Sequence, residues 1–379
     1  MGTNGITVRR VETRTDHESF CRLPYSLYAN DRNWVPPLLV RERRRWSMKH
    51  NASLRYRQCQ RFLALRNGRV AGRIASMVDE SFELSWEEGT AFFGFFECEE
   101  DPKVARAMLA AAEETLGASG KRRLLGPVNL TLHDEVGLLV DGFESRPMVL
   151  SPYNPPYYES LLVHAGFIPR HEYYAYAWHL DCLRSPAVLR LLERAQTRAR
   201  AARVVIRHAH ARRWTQESRL LFQLYSECFK DVWGFVPLHM DEYSQRAADF
   251  KSFYATGGVT FAEIAGRPVG FGLAIPDINE ALCHLNGRLW PLGWLRLGKA
   301  MRRIRSARFI LLGVLPEYRG RGIAPMLVDA TVATARVVGI EHAELSLIQD
   351  TNLEMRRVVE AFGGRRSKTY RLYEKDIGN

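Results

Sequence analysis

The sequence lacks the features that mark secreted, disulfide-linked and membrane-spanning proteins. No run of residues is both apolar and long enough to cross a bilayer, which takes roughly 20 residues. Residues 1–10 contain no apolar stretch of the signal-peptide type. The six cysteines stand singly, without a Cys-x-x-Cys pair, which argues against a zinc site and against a disulfide framework. These absences predict a cytoplasmic protein that binds no metal.

Arginine dominates the charge of the chain. Of its 379 residues, 46% are hydrophobic and 25% are charged, as is ordinary for a soluble protein with a sizeable core. The formal net charge is +12, and arginine is dense in residues 41–45, 194–213 and 302–308. This balance favours an anionic partner such as anionic lipid, nucleic acid or a phosphorylated cofactor, unless the arginines only form solvated helix faces. Because no nucleic-acid module signature accompanies the charge, nucleic acid is not the expected partner.

Two pairs of similar segments recur at one spacing. Residues 62–72 (FLALRNGRVAG) and 261–270 (FAEIAGRPVG) are both typical of a hairpin with a short glycine-containing turn. The segments that begin at Asn154 and Asn352 are both typical of an Asn-capped helix of about three turns with a glycine stop. The turn glycines Gly68 and Gly266 are 198 residues apart, and so are Asn154 and Asn352. This common offset predicts two copies of one fold.

Each copy mixes strands and helices in an order that predicts helices packed on a central sheet. In the second copy we expect strands at 204–207, 259–264, 269–275, 308–314, 343–348 and 367–374, and helices at 213–232, 241–254, 323–338 and 353–362. The predicted fold class is α/β (α+β) in two domains, residues 1–180 and 181–379. The joint falls near residues 178–185, where no low-complexity linker is present.

One segment of the second copy is typical of an anion site. It follows a predicted strand, and we call its six residues the phosphate loop: Arg319, Gly320, Arg321, Gly322, Ile323 and Ala324. The glycines let the backbone approach a ligand closely, and the helix that begins near Ile323 adds unpaired N–H groups and the positive end of its dipole. The two arginines add full charges. The loop matches neither a Walker A nor a Rossmann motif, yet it suits a pyrophosphate.

The phosphate loop resembles the cofactor loop of the GNAT acetyltransferase superfamily, Arg/Gln-x-x-Gly-x-Gly/Ala. Arg319, Gly322 and Ala324 match every fixed position, and the resemblance covers the whole second copy. It implies a central mixed sheet with two splayed strands, an acetyl-CoA or longer acyl-CoA co-substrate, and acyl transfer to an amine. It also implies that a backbone N–H near Val314 or Leu315 stabilises the oxyanion and that Asn352 contacts the cofactor arm.

The first copy resembles the same fold but departs from the loop motif. Residues 97–101 read ECEED, and acidic side chains there would repel a pyrophosphate. We therefore expect a degenerate first copy and one cofactor site per chain. Its segments 127–150 and 153–158 either wall the substrate pocket or serve only as structural support.

The general acid and base are not evident. By the resemblance, many family members place a tyrosine acid where this chain has Val359. Tyr370 and Tyr373 are alternative acids, although both also fit a packed final strand. For the base we consider Asp277, just past a strand end, and His284, at helical spacing from Glu280. Asp277 fits a cap or turn as well, and a lone histidine is often structural.

Residues 285–297 (LNGRLWPLGWLRL) are unusually apolar and are followed by several basic residues. They predict either a buried helix with a solvated face, or a surface that admits a long acyl chain or rests on anionic lipid. The pairing of a degenerate and an intact copy resembles tandem GNAT proteins that attach long acyl chains to amines, such as the bacterial ceramide synthase type.

The predicted function is therefore an acyl-CoA-dependent N-acyltransferase acting on a primary amine, either a small molecule or a lipid-like amine. Peripheral contact with the inner membrane face is part of the lipid hypothesis. Two alternatives stay open: a CoA-binding regulatory or scaffold protein without catalysis, and an acetyltransferase that modifies a protein or tRNA amine. The missing tyrosine favours the first of these alternatives, and the basic surface favours the second.

Overall fold

The computed structural model describes residues 5–254, 258–290 and 293–377. Residues 1–4, where we expect no signal peptide, and residues 291 and 292 of the apolar stretch lie outside the described part. The strands are β1 Ile6–Arg10, β2 Gln58–Arg66, β3 Arg69–Val78, β4 Thr90–Cys98, β5 Arg123–Gly126, β6 Leu138–Asp141, β7 Ile168–His179, β8 Val204–His208, β9 Val259–Ile264, β10 Arg267–Pro276, β11 Ser306–Val314, β12 His342–Gln349 and β13 Arg365–Asp376. The α-helices are α1 Arg14–Leu27, α2 Leu39–Arg45, α3 Glu80–Ser85, α4 Pro102–Gly117, α5 Tyr158–His164, α6 Pro186–Ala201, α7 Trp214–Phe229, α8 Met240–Tyr254, α9 Asn279–Leu282, α10 Gly293–Met301, α11 Ile323–Val337 and α12 Leu353–Ala361.

The chain forms two compact units. The N-terminal unit contains Met1–Glu172, Leu282–Leu297 and Lys368–Asn379, and the C-terminal unit contains Tyr173–Ala281 and Gly298–Ser367. Strand β7 therefore begins in the N-terminal unit and ends in the C-terminal unit. Strand β13 begins in the C-terminal unit and ends in the N-terminal unit. The division at residue 180 stays a prediction about domains; the two units interleave along the chain.

The N-terminal unit is built on a mixed sheet in the order β1-β2-β3-β4-β5-β13. Strands β4 and β5 are parallel, whereas the other neighbours pair antiparallel, and β6 also pairs with β13. The core lies between this sheet and α4, where apolar side chains of alternate strand positions meet the apolar side of the helix. Its large buried side chains include Phe62, Phe93, Tyr158 and Phe167.

The C-terminal unit has a mixed sheet in the order β8-β9-β10-β11-β12-β7. Here β11 and β12 are the parallel pair, and they pair only from Ser306–His342 to Phe309–Leu345. Beyond that rung, β11 continues to Val314 and β12 to Gln349 without pairing to each other. We call this opening the fork. The prediction of a mixed, splayed sheet flanked by helices is confirmed.

Most predicted elements of the second copy are present, and β9 spans the predicted residues. A clear error concerns Asn154, which we expected to cap a helix. Helix α5 begins at Tyr158, and the Asn154 side chain instead accepts a hydrogen bond from Leu139 N (2.7 Å) and donates one to Leu139 O (3.0 Å). Two prolines follow Asn154 and delay the helix, since a residue before proline avoids the helical conformation.

Two further expectations about residues 277–301 are wrong. Helix α9 ends at Leu282, so Glu280 and His284 do not share a helix face. Helix α10 has no buried residue, so the buried-helix alternative fails for it. Leu285 of the same stretch is buried, but the tryptophans that follow are exposed.

Candidate functional site

The phosphate loop joins the open end of β11 to helix α11. A short 3₁₀ turn, Pro316–Tyr318, follows the strand, and Leu315 N donates to Val269 O (2.9 Å), which ties the start of the loop to β10. Gly320 and Gly322 have φ values of 76° and 80°, in the left-handed region that favours glycine. The predicted order of strand, turn and helix start is confirmed.

The backbone of the phosphate loop presents a cluster of N–H groups. In the part of the chain that the structure describes, the amides of residues 320–324 donate to no protein acceptor, and Met326 N is the first to bond back, to Gly322 O (3.3 Å). Such groups at a helix start, with the positive end of the helix dipole, suit an anion.

Three arginines lie on or beside the phosphate loop. Arg319 donates to Val314 O (3.3 Å) and lies 3.6 Å from the carboxylate of Glu354 at the start of α12. The guanidinium groups of Arg321 and Arg267 lie 5.0 and 5.7 Å from the centre of the Tyr318 ring. Arg267 was not predicted, because only the β9–β10 turn brings it to the loop.

The two glycines of the loop have different surroundings. A Cβ on Gly322 would lie 2.3 Å from Ala195 O of α6, so this glycine is also required by helix packing. A Cβ on Gly320 would meet no atom within 4 Å. Gly320 is therefore the glycine that leaves open space for a ligand.

A buried polar cluster lies at the floor of the fork. Arg308 and Glu344 face each other one rung before the fork opens, and both are buried. Arg308 Nε donates to Ser346 Oγ (2.9 Å), which donates to a Glu344 oxygen (2.7 Å). Charged groups buried this deeply need such partners. Sequence reasoning missed the cluster, although two charged side chains in otherwise apolar strands were a usable signal.

Gln349, at the end of β12 beyond the last rung shared with β11, carries an unpaired hydrogen-bond donor. The side chain is buried, and its Nε2 has no acceptor among the described residues. A buried donor without a partner costs about 1–3 kcal/mol. Nothing in the sequence distinguished this glutamine.

The predicted catalytic residues are divided between the two units. Asp277 is buried, its N–H donates to Ser306 O (2.8 Å) and its carboxylate accepts from Asn279 N (3.2 Å). It therefore lies beside Ser306 at the closed end of β11, and Ser306 is eight residues, or roughly 26 Å, from Val314. His284 is exposed and belongs to the N-terminal unit, whereas Asp277 belongs to the C-terminal unit. Their catalytic roles stay predictions.

Asn352 begins the helix whose first turn contacts the phosphate loop. Its side chain accepts from Met355 N (3.1 Å) as the N-cap of α12, two residues before Glu354, the partner of Arg319. The cap is confirmed, and contact with a cofactor stays a prediction.

The position of the usual tyrosine acid is part of the core. Val359 is buried in a cluster with Tyr174, Tyr176 and Ile348. The hydroxyl of Tyr176 donates to Glu360 (3.2 Å) and accepts from Arg356 Nε (3.4 Å), and sequence reasoning did not consider it. Tyr370 and Tyr373, the alternative acids, are both buried in the N-terminal unit. There Tyr373 donates to Glu159 (2.5 Å).

Among the described residues of the N-terminal unit, the connection from β4 to α4 forms no comparable loop. Only residues 99–101 separate β4 from α4, against residues 315–322 between β11 and α11. Asp101 caps α4 by accepting from Lys103 N (2.9 Å), and Arg66 pairs with Asp101 (2.9 Å) and Glu99 (2.6 Å). The helix start is thus occupied by the protein's own carboxylates.

The opening beside β4 is filled as well. Pairing of β4 with β5 ends at Phe92, but Val128 N then donates to Phe93 O (2.8 Å), and Phe95 N donates to Asn129 Oδ1 (2.7 Å). Residues of the predicted insertion therefore cover this edge of β4, whereas the corresponding edge of β11 stays open.

Over nearly its whole length the chain is similar to two bacterial proteins. It is 32% identical to the bacterial ceramide synthase of Caulobacter vibrioides (strain NA1000 / CB15N), over 98% of each chain. It is 31% identical to Protein YghO of Escherichia coli (strain K12), over 98% of this chain and 95% of the relative. A model of the acetyltransferase (GNAT) family matches residues 219–363. The chain belongs to the GNAT family.

Solved structures agree with a tandem GNAT fold. The tandem GNAT protein from the clavulanic acid biosynthesis pathway superposes with a TM-score of 0.58 over 99% of both chains, at 14% identity. A GCN5-related N-acetyltransferase from Sphaerobacter thermophilus gives 0.54 over 99% of this chain and 96% of the other, at 12% identity. This tandem GNAT protein is an N-acyltransferase of the type that includes the bacterial ceramide synthase.

Two general observations complete the description of this GNAT protein. No helix of the described residues combines the length and apolarity needed to cross a membrane. Within the same residues, no group of three or more His, Cys, Asp or Glu side chains is placed to hold a metal ion.

Proposed function

We propose that the chain transfers an acyl group from acyl-CoA to a primary amine, and that its acceptor is a lipid-like amine. The observation that carries the proposal is the phosphate loop at the open end of the fork, with unpaired N–H groups and arginines beside a gap between two strands. The loop holds the pyrophosphate, and the fork receives the arm that carries the thioester. One such site exists per chain, because the equivalent positions of the N-terminal unit are occupied by its own residues.

The reaction is a direct aminolysis. The amine nitrogen forms a bond to the acyl carbon, the carbon–sulfur bond breaks, and the proton lost by the amine ends on the CoA thiol. Burial raises the pKa of the Cys228 thiol to about 12, despite the positive charge of Arg319 nearby. A protonated thiol is a poor nucleophile, so transfer through an acyl-Cys228 intermediate is not favoured.

Backbone and side-chain donors in the fork stabilise the oxyanion and orient the acyl arm. Leu315 N is already bonded to Val269 O, which excludes that donor. The pairing of β10 with β11 skips Ile310, directly after the last rung shared with β12. Because a bulge leaves a residue unpaired in the ladder, we assign the oxyanion donor to Ile310 N and an orienting role to Gln349 Nε2.

A coupled thiol assay tests the acyltransferase. We expect CoA release when the protein meets a long-chain acyl-CoA and a long-chain amino alcohol, and slower release with acetyl-CoA or short amines. The relative from Caulobacter vibrioides is named a ceramide synthase, which makes a long-chain amino alcohol the first acceptor to try. If CoA raises the melting temperature but no donor–acceptor pair releases thiol, the chain is a CoA-binding protein without catalysis.

The lipid-like acceptor is supported by an exposed apolar surface in the N-terminal unit. Trp290, Trp294 and Leu295 expose 83%, 57% and 52% of their surface, and the basic residues Arg288 and Arg296 are exposed beside them. Tryptophan with arginine is typical of a segment that lies in the interface of an anionic membrane. We call these five residues the interfacial patch.

We expect the protein to co-sediment with vesicles that contain phosphatidylglycerol and less with pure phosphatidylcholine, since each basic residue near an anionic surface adds about 1 kcal/mol. Trp290→Ser with Trp294→Ser should weaken vesicle binding about tenfold, because two large aromatic surfaces no longer leave water. Leu84→Ser, at an 89% exposed leucine outside the patch, is the matched control. Equal binding of the double variant and the control would rule out the interfacial patch.

A further inference from the structure

Helix α6 extends past the start of α11. Val188, near the start of α6, shares a hydrophobic cluster with Val328 and Val332 in the middle of α11. Further along α6, the carbonyl oxygen of Ala195 lies against Gly322, the N-cap of α11. The two helices therefore run in opposite directions. The last turn of α6 lies beyond the first turn of α11, on the side to which the unpaired N–H groups point.

Two arginines flank this contact. Arg194 precedes Ala195, and Arg198 lies three residues after it, roughly 4.5 Å further along the helix axis. Both are exposed, and in the described part of the chain neither has a carboxylate within salt-bridge distance. Positions four apart are neighbours on a helix, where like charges are mildly destabilising. An anion bound to both would remove that repulsion.

We propose that Arg194 and Arg198 bind the 3′-phosphate of the CoA ribose, as a second phosphate site beside the phosphate loop. The inference rests on the proposed function, since it requires CoA in the fork. CoA carries its pyrophosphate and its 3′-phosphate on one ribose unit, so a ligand with the first group on the loop needs a second anion site nearby. Guanidinium groups bind phosphate with two parallel hydrogen bonds, which makes an arginine pair suited to this group.

Arg198 has another role that must be separated from this one. A cation in the last turn of a helix offsets the negative end of the helix dipole. That role predicts a change of stability when Arg198 is replaced, but no change in the discrimination between two ligands.

The experiment compares CoA with dephospho-CoA, which lacks only the 3′-phosphate. Isothermal titration calorimetry is carried out on the wild type, on Arg194→Ala with Arg198→Ala, and on Arg212→Ala with Arg213→Ala as a control pair that is exposed elsewhere in the C-terminal unit. We expect the wild type and the control to bind CoA about tenfold more tightly than dephospho-CoA. The α6 variant should bind both ligands equally, with the wild-type affinity for dephospho-CoA.

The other outcomes separate the two proposals. If the wild type binds both ligands equally, or if the α6 variant keeps the wild-type preference, the second phosphate site is wrong while the phosphate loop stands. If the wild type binds neither ligand, the proposed function itself fails. Weaker binding of dephospho-CoA by the α6 variant would also contradict the proposal, because the damage would then extend beyond the 3′-phosphate.

Discussion

Replacing both Arg319 and Arg321 by glutamate is expected to lower the affinity for CoA at least 100-fold. Each arginine loses a charge-assisted hydrogen bond to the pyrophosphate, worth about 1.5–3 kcal/mol, and each glutamate adds repulsion. The folded protein should tolerate the change, because Arg319 and Arg321 are exposed and, among the described residues, their side chains bond to backbone carbonyls and to the surface carboxylate of Glu354. Calorimetric titration with CoA measures the effect.

The matched control changes the same charge at another place. Arg212 and Arg213 lie in a short exposed 3₁₀ turn of the C-terminal unit, so replacing both by glutamate alters the net charge equally. We expect this variant to bind CoA within about threefold of the wild type, since exposed charges more than a Debye length away are largely screened. Equal losses in both variants would mean that only the overall charge attracts CoA. Gly322 is a poor test position, because any side chain there collides with Ala195 O.

The second large effect concerns stability. Gly94→Ala is expected to destabilise the N-terminal unit by about 3 kcal/mol or more, because overpacking against rigid backbone cannot relax. A Cβ on Gly94 would lie 1.9 Å from Val128 O, and Val128 N is itself bonded to Phe93 O (2.8 Å). For a unit of this size, such a loss lowers the melting temperature by about 10 °C.

Gly117→Ala provides the comparison within the same unit. Gly117 is the last residue of α4, and the nearest atom to its Cβ would be Ile377 O at 3.8 Å, an ordinary contact. Alanine has the better helix propensity, so this variant should melt at or slightly above the wild-type temperature. Differential scanning calorimetry of the three proteins decides the question. Similar melting temperatures for the two variants would show that residues 127–129 do not pack against β4 as described.

Local signals account for what the sequence predicted well. The β9–β10 hairpin and the start of α11 depend on turn glycines and on alternation within a dozen residues, and both lie where we expected them. Asn352 caps its helix because its side-chain oxygen accepts from the N–H of Met355, only three residues away. The same signal failed at Asn154, where a distant partner, Leu139, takes the side chain. Single-sequence reasoning cannot rank a local partner against a distant one.

Of the candidate site, sequence reasoning predicted the phosphate loop and missed the side chains that other elements contribute around it. The phosphate loop has a spacing that is visible in the chain, whereas Arg267 comes to the loop, and Gln349 to the open part of β12, only through strand pairing. We expected a degenerate first copy only because acidic residues would repel a pyrophosphate, and this reason is incomplete. The acidic residues do not simply repel an anion; Asp101 caps α4, and the connection to the helix is too short to form a loop.

The path of β13 determines when the sheet of the N-terminal unit can be completed during synthesis. Residues 369–376 supply the strand that pairs with β5 and β6 of the N-terminal unit. While a ribosome is still making the second copy, the first copy exposes the edges of β5 and β6, and unpaired strand edges are sites of aggregation. The first copy therefore depends on β13, a strand translated after most of the second copy, and its sheet can be completed only then.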